Sequence, residues 1–312
     1  MVKLYLANRK LTEVPPIPDN ITELDLSNNQ ITELKEGVFP QGLQKMYLSC
    51  NNIVELKEGV FPPRLEILYL DNNQITELKE GVFPHSLQYL DLSSNKIVEL
   101  KENVFPQGLK NLYLPDNKIV ELKEGVFPQG LIKLYLSHNK IVELKENVFP
   151  RGLLNLELFE NKILELKENI FPPSLQDLNL SYNQIVKLKE DVFPQELQRL
   201  ELYNNQIIEL PIHLLNLRRL TKIWYLGNPI ENISLPVQRW LDRLNQGLTE
   251  NNHVYSDNQN IHNSNIQKSF RQSLENIMKD KLTYSLDECK NTLLTSSVRL
   301  EVKRAFLHSS RE

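Results

Sequence analysis

The sequence predicts a curved solenoid of stacked repeats. Stacked coils place short parallel strands on the concave face and irregular or 3-10 structure on the convex side, and a small α-helical segment follows. Three observations predict it. A period of 22 residues runs through most of the 312-residue chain, and a period of that length marks a stacked-repeat architecture. The composition is skewed to 55 Leu and 33 Asn against 2 Ala and 10 Gly, which is what repeating one short pattern produces. Within each period, alternating Leu residues over a strand-length run are followed by a single Asn, so one face is apolar and the chain turns at a fixed place.

The first coil, residues 1–20, is a shortened unit. Eight units of 22 residues then begin at Ile21, Leu43, Leu65, Leu87, Leu109, Leu131, Leu153 and Leu175. Each has the form Leu-x-x-Leu-x-Leu-x-x-Asn-x-Ile-x-x-Leu followed by Lys-Glu-x-Val-Phe-Pro. The unit at Leu197 has 23 residues and ends in Pro211-Ile212-His213-Leu214-Leu215 instead of Phe-Pro, and a last coil runs from Leu220 to Ile233. Eleven coils over 1–235 result. This form resembles the leucine-rich repeat family, and the resemblance implies the α/β-type horseshoe fold. The stretch Leu11-Thr12-Glu13-Val14-Pro15-Pro16-Ile17-Pro18-Asp19-Asn20-Ile21-Thr22-Glu23-Leu24 resembles the short repeats of bacterial effector proteins.

Within a coil, Leu24 and Leu26 share one face of a strand while Asp25 and Ser27 point the other way. One coil cannot enclose its own apolar face, so stacking supplies the core. Asn29, Asn51, Asn73, Asn95, Asn117, Asn139, Asn161, Asn183, Asn205 and Asn228 occupy one inward-turning column. A buried amide there must bond backbone groups, which predicts an asparagine ladder. Arg9 holds that column in the first coil. The Phe-Pro pairs, from Phe39-Pro40 to Phe193-Pro194, place a ring under the convex side and remove a backbone donor at the return. On that side each Lys column has Glu beside it, so the convex surface reads as solvated.

The outward strand positions vary. Between the strand leucines the chain places Tyr5, Asp25, Tyr47, Tyr69, Asp91, Tyr113, Tyr135, Glu157, Asn179, Glu201 and Trp224. The preceding column includes Lys45, Tyr89 and Lys133. A second, more apolar cluster comprises Phe159, Glu160, Tyr182, Tyr203, Trp224 and Leu226. Tyr, Trp and Arg dominate interface hot spots, so the concave candidates for holding a partner protein are Lys45, Tyr47, Tyr69, Tyr89, Tyr113, Lys133, Tyr135, Phe159, Tyr182, Tyr203 and Trp224. The competing reading is that tyrosines on adjacent strands pack on one another. His138 and Cys50 lack a second ligand in their columns, so neither is read as a metal ligand.

After the array, 236–250 is expected to form a helical cap, with Trp240, Leu241 and Leu244 on one side. Residues 251–312 read as a linker and a small helical tail, where Ile266, Phe270, Leu274 and Ile277, then Leu293, Leu294, Val298, Val302 and Phe306, recur at helical intervals. The piece Val254-Tyr255-Ser256-Asp257-Asn258-Gln259-Asn260-Ile261-His262-Asn263-Ser264-Asn265-Ile266-Gln267-Lys268-Ser269 is similar to a segment that follows leucine-rich repeats in proteins of large DNA viruses.

Function classes narrow accordingly. With 36 basic and 40 acidic residues and a net charge of -4, no basic field invites nucleic acid. No apolar run reaches the ~18 residues of a membrane span. The chain is patterned from its first residues, so no signal peptide is expected, and two unrelated cysteines, Cys50 and Cys289, suit a reducing compartment. The expected setting is cytoplasmic, the host cytoplasm if the source is viral. No phosphate loop, zinc motif or nucleophile elbow is present, so no catalytic residue, cofactor or metal is assigned. The reading is a non-enzymatic protein-interaction module of a pathogen or virus acting on host proteins. The alternative is a substrate-recognition adaptor for a ubiquitin ligase. Direct ligase chemistry is disfavoured because Cys289-Lys290-Asn291 lacks the Cys-x-Asp of the bacterial effectors it would have to match. Partner identity and oligomeric state stay open.

Overall fold

The computed structural model describes residues 2–246. The linker and helical tail expected over 251–312, with Cys289 and the virus-like piece, lie outside the described residues, as does 247–250 of the expected cap.

Only the residues flanking one inward Leu can run extended before the chain must turn, so each strand has three residues. In chain order they are β1 (Lys3–Tyr5), β2 (Glu23–Asp25), β3 (Lys45–Tyr47), β4 (Ile67–Tyr69), β5 (Tyr89–Asp91), β6 (Asn111–Tyr113), β7 (Lys133–Tyr135), β8 (Asn155–Glu157), β9 (Asp177–Asn179), β10 (Arg199–Glu201) and β11 (Lys222–Trp224). They form one parallel sheet in sequence order, in unbroken column register: Leu68 faces Leu90 and Leu90 faces Leu112. The central Leu of each coil, with Met46 in β3, is buried from β2 to β10, so the core is a column running the length of the sheet.

The asparagine ladder ties coil to coil. Asn117 Nδ2 donates to Leu92 O of the preceding coil at 3.0 Å and to Leu114 O of its own at 3.2 Å, while its Oδ1 accepts the Ile97 N–H at 3.0 Å. Leu92 O also accepts from Asn95, so each such carbonyl serves two amides. The ladder begins at Asn29, whose Oδ1 accepts the N–H groups of Arg9 and Leu11. The residue before each rung is left-handed. Asn8, Asn28, Cys50, Asn72, Ser94, Asp116, His138, Glu160, Tyr182 and Asn204 have φ between 49° and 60°, and Gly227 has 76°. The turn aims their N–H groups at the next coil: Glu160 donates to Ser181 O, and Tyr182 to Tyr203 O. A second left-handed position explains the Gly or Asn after Lys-Glu, as at Gly37, Gly59, Asn103 and Asn147.

On the convex side the rings of Phe61, Phe83, Phe105, Phe127, Phe149, Phe171 and Phe193 stack with centroids 6.1–6.5 Å apart. Outside them each Lys reaches the Glu of the coil before it, as in Lys57–Glu33, Lys123–Glu99 and Lys189–Glu165. These pairs are exposed, and each contributes little. In the irregular unit the Phe-Pro return becomes a 3-10 turn, Ile212–Asn216, which buries Leu214 and leaves the buried Nε2 of His213 without a hydrogen bond. Helix α1 (Leu235–Gln246) then lays Val237, Trp240 and Leu241 on the core.

Candidate functional site

The concave sheet divides into two chemically distinct stretches. Over β3 to β7 the tyrosines form a continuous row of rings. Tyr47 and Tyr69 stack at 5.1 Å, and Tyr113 and Tyr135 at 4.3 Å, with planes 13° and 7° apart. Asp91 would interrupt this row at β5. Tyr89, two residues earlier on the same strand, swings its ring into the gap, with centroids 4.9 Å from Tyr69 and 5.1 Å from Tyr113. The rings pack on one another, and each is half-buried. Burial and contact with neighbouring rings make the hydroxyls hard to ionise: the Tyr89 phenol lies well above its ordinary range and that of Tyr135 is pushed up to about 12. The Tyr89 and Tyr135 hydroxyls are therefore neutral at physiological pH. Lys45 and Lys133 open β3 and β7, half-buried and exposed respectively. Tyr5 is separated from the row by Asp25 on β2.

From β8 onward the surface turns acidic between aromatic groups. Glu157, Asn179 and Glu201 occupy adjacent positions on β8, β9 and β10. Tyr135 on β7 and Trp224 on β11 stand at the two ends of that line. Asn179 Nδ2 donates to Glu201 Oε2 at 3.1 Å and its Oδ1 accepts the Ser181 N–H at 2.9 Å. Glu157 accepts from the Ser137 hydroxyl at 3.4 Å. Burial raises the Glu157 carboxyl above its usual range, and the charge of Glu201 adds to the rise. Glu201 is raised by burial too, with the nearby Arg199 opposing. Arg199 itself is engaged with Asp177 through two guanidinium nitrogens.

Beyond the strand ends a rim of larger groups follows. Phe159 packs on His138 edge-to-face at 5.1 Å and on Tyr182 at 5.0 Å, and His138 Nδ1 lies 3.1 Å from Glu160 Oε2. Leu226 is 55 % exposed. His138, Glu160 and Tyr182 all sit in the left-handed column, where a residue with a Cβ costs about 1–2 kcal/mol. Among the described residues no group of three or more His, Cys, Asp or Glu is placed to hold a metal ion, and no helix is long and apolar enough to cross a membrane.

The structure thus brings Tyr47, Tyr69, Tyr89, Tyr113 and Tyr135 into one row and places Phe159, Tyr182, Tyr203 and Trp224 on the C-terminal stretch. Sequence reasoning noted Glu157 and Glu201 as members of a stripe but did not select them. The signal available was their placement in one column with a neutral residue between and an aromatic on each side. It also missed an exposed apolar line at the flank, Val98, Val120, Val142, Leu164, Val186 and Ile208, each 40–52 % exposed.

Comparison with known proteins agrees with this geometry. Leucine-rich repeat models match residues 19–62, 63–106 and 171–185. No curated protein matches the sequence. Among solved structures, a chain in the octameric complex of Latrophilin 3, Unc5D and FLRT2 (LRR) is 26% identical with a TM-score of 0.69, over 77% of this chain and 78% of that one. YopM from Yersinia enterocolitica is 32% identical with a TM-score of 0.57, over 70% of this chain and 44% of YopM. TLR13, in its complex with ssRNA13, is 26% identical with a TM-score of 0.61, over 66% of this chain and 32% of TLR13. The chain therefore spans about a third of the TLR13 chain and less than half of YopM. Together with the 22-residue period, the buried Leu columns and the asparagine ladder, these matches identify the chain as a leucine-rich repeat protein.

Proposed function

We propose that this chain is a protein-binding module that holds a partner protein on its concave face. The observation that carries the reading is the unbroken row of five tyrosine rings across β3 to β7. These half-buried rings offer a rigid surface with hydrogen-bonding hydroxyls, and ordering such rings on binding costs little rotamer entropy. The likeness to a chain of the Latrophilin 3, Unc5D and FLRT2 assembly supports a protein partner. We further propose a pathogen or viral factor that acts on host proteins, a reading with which the likeness to YopM from the bacterium Yersinia enterocolitica agrees.

The rings stack on one another, so replacing them with alanine disturbs packing as well as any interface. Phenylalanine separates the two effects by keeping the stack and removing the hydroxyls. In affinity capture with the full chain, a concave partner is retained by wild type and by Glu121→Lys/Glu143→Lys on the convex side. It is weakened by roughly tenfold or more on Tyr69→Phe/Tyr113→Phe/Tyr135→Phe and lost on the alanine triple variant. Capture that survives the alanine triple variant sinks the reading.

A further inference from the structure

We propose that the C-terminal half of the concave sheet seats a Lys or Arg side chain, carried by an extended basic segment of the partner protein, between the carboxylates of Glu157 and Glu201. The inference rests on the concave-binding reading above and narrows the chemistry of its partner.

The line Tyr135, Glu157, Asn179, Glu201, Trp224 is one residue column across five adjacent strands. Adjacent strands lie about 4.8 Å apart, so the β8 and β10 backbones stand about 10 Å apart, with the Asn179 amide reaching both carboxylates between them. A cation resting above Asn179 would lie close to both. Both carboxylates are half-buried, so the attraction is screened less than at an open surface. Among the described residues neither makes an ion pair, and Arg199, whose charge is felt at Glu201, is engaged with Asp177. The Asn179 side chain is hydrogen-bonded to both carboxylates, but a neutral amide supplies no countercharge, and its oxygen is taken by the Ser181 N–H.

The surroundings fit a cation on an aliphatic stem. Tyr135 and Trp224 close the column at its ends, and aromatic rings attract ammonium and guanidinium groups. Phe159, Tyr182, Tyr203 and Leu226 line the neighbouring rim, where the stem of a long basic side chain has apolar surface to lie on. An acidic segment would meet two unpaired like charges. A bare metal ion would find no third ligand among the described residues.

The test is fluorescence anisotropy with the full chain and a labelled Arg-Ser repeat peptide, beside the same peptide with citrulline in place of arginine. Citrulline keeps the shape and removes the charge. Wild type binds the arginine peptide, and the citrulline peptide binds roughly tenfold more weakly or worse. Glu157→Gln/Glu201→Gln, which keeps side-chain length, lowers affinity for the arginine peptide by a similar factor. Glu121→Gln/Glu143→Gln on the convex side removes the same net charge and changes it by less than about twofold. Circular dichroism confirms that both variants fold. The proposal is overturned if wild type fails to bind the arginine peptide, if citrulline binds equally well, or if the convex variant loses as much as the concave one. A captured partner that is lost on the tyrosine substitutions but kept by Glu157→Gln/Glu201→Gln overturns this inference alone. A partner kept by both overturns the concave reading as well.

Discussion

The convex wall and the concave sheet belong to the same coils and follow opposite rules. On the convex side Phe stacks on Phe and Lys reaches the Glu of the coil before it, again and again. Across the concave sheet a single column passes from tyrosine to aspartate, back to tyrosine, then to glutamate, asparagine, glutamate and tryptophan. The interior and the convex return must pass the chain from one coil to the next, so one solution repeats. The concave side chains stand on a backbone already satisfied by the sheet and the ladder, so their identity is free to serve something else.

Stability measurements can break that comparison. The largest loss is expected for Phe127→Ala, which empties a site 2 % exposed between two rings and should cost about 3–5 kcal/mol in urea unfolding. Asn117→Ala comes next at about 1–3 kcal/mol. Its carbonyl acceptors keep a second amide, and only the Ile97 N–H loses its partner outright. Tyr113→Ala should cost about 1–3 kcal/mol through two ring contacts, and Tyr113→Phe close to nothing. If Tyr113→Ala matches Phe127→Ala, the concave row is as structural as the convex one and the contrast fails.

The smallest effect has the opposite sign. Folding raises the Glu157 and Glu201 carboxyls from an ordinary value of 4.5, so the folded chain holds those protons more tightly than the unfolded one. Their ionisation therefore opposes folding at neutral pH, and the effect fades as pH falls through and below 4.5, where both states become protonated. Glu157→Gln/Glu201→Gln should raise the melting temperature at pH 7, and the gain should fade over the same fall in pH. A gain that persists at low pH would place its origin elsewhere than in these charges.

The sequence is legible where a residue's role depends on its own column. The period of 22 and the positions of Leu24, Leu26 and Asn29 lead directly to the strands, the core and the amide column, because each repeats in the same surroundings. Tyr89 shows where this stops. Its column holds Asn, Lys and Asp in the following coils, and only the gap above Asp91 and the reach of a long ring bring it into the tyrosine row. Glu157 and Glu201 were visible as acids, but their significance depends on the neighbours two strands away. The left-handed column could have been found, since Asn8, Asn28, Asn72, Asn204 and Gly227 all occupy it. The bulky exceptions Glu160 and Tyr182 show no strain in their sequence neighbourhood and reveal it only in φ.

Because ladder bonds and strand pairings reach no farther than the immediately neighbouring coil, the molecule behaves as a tape that can be cut and rejoined at 22-residue marks. Removing residues 87–108 would carry Tyr69 directly alongside Tyr113, in the same column as the rings on either side, and no interior contact would need a new partner. The tyrosine row would shorten by one ring and become straighter. Cutting out residues 175–196 instead would bring Glu157 beside Glu201 without the amide between them. Reach and charge spacing on this surface can thus be changed by whole-coil recombination, leaving the residues that build each coil untouched.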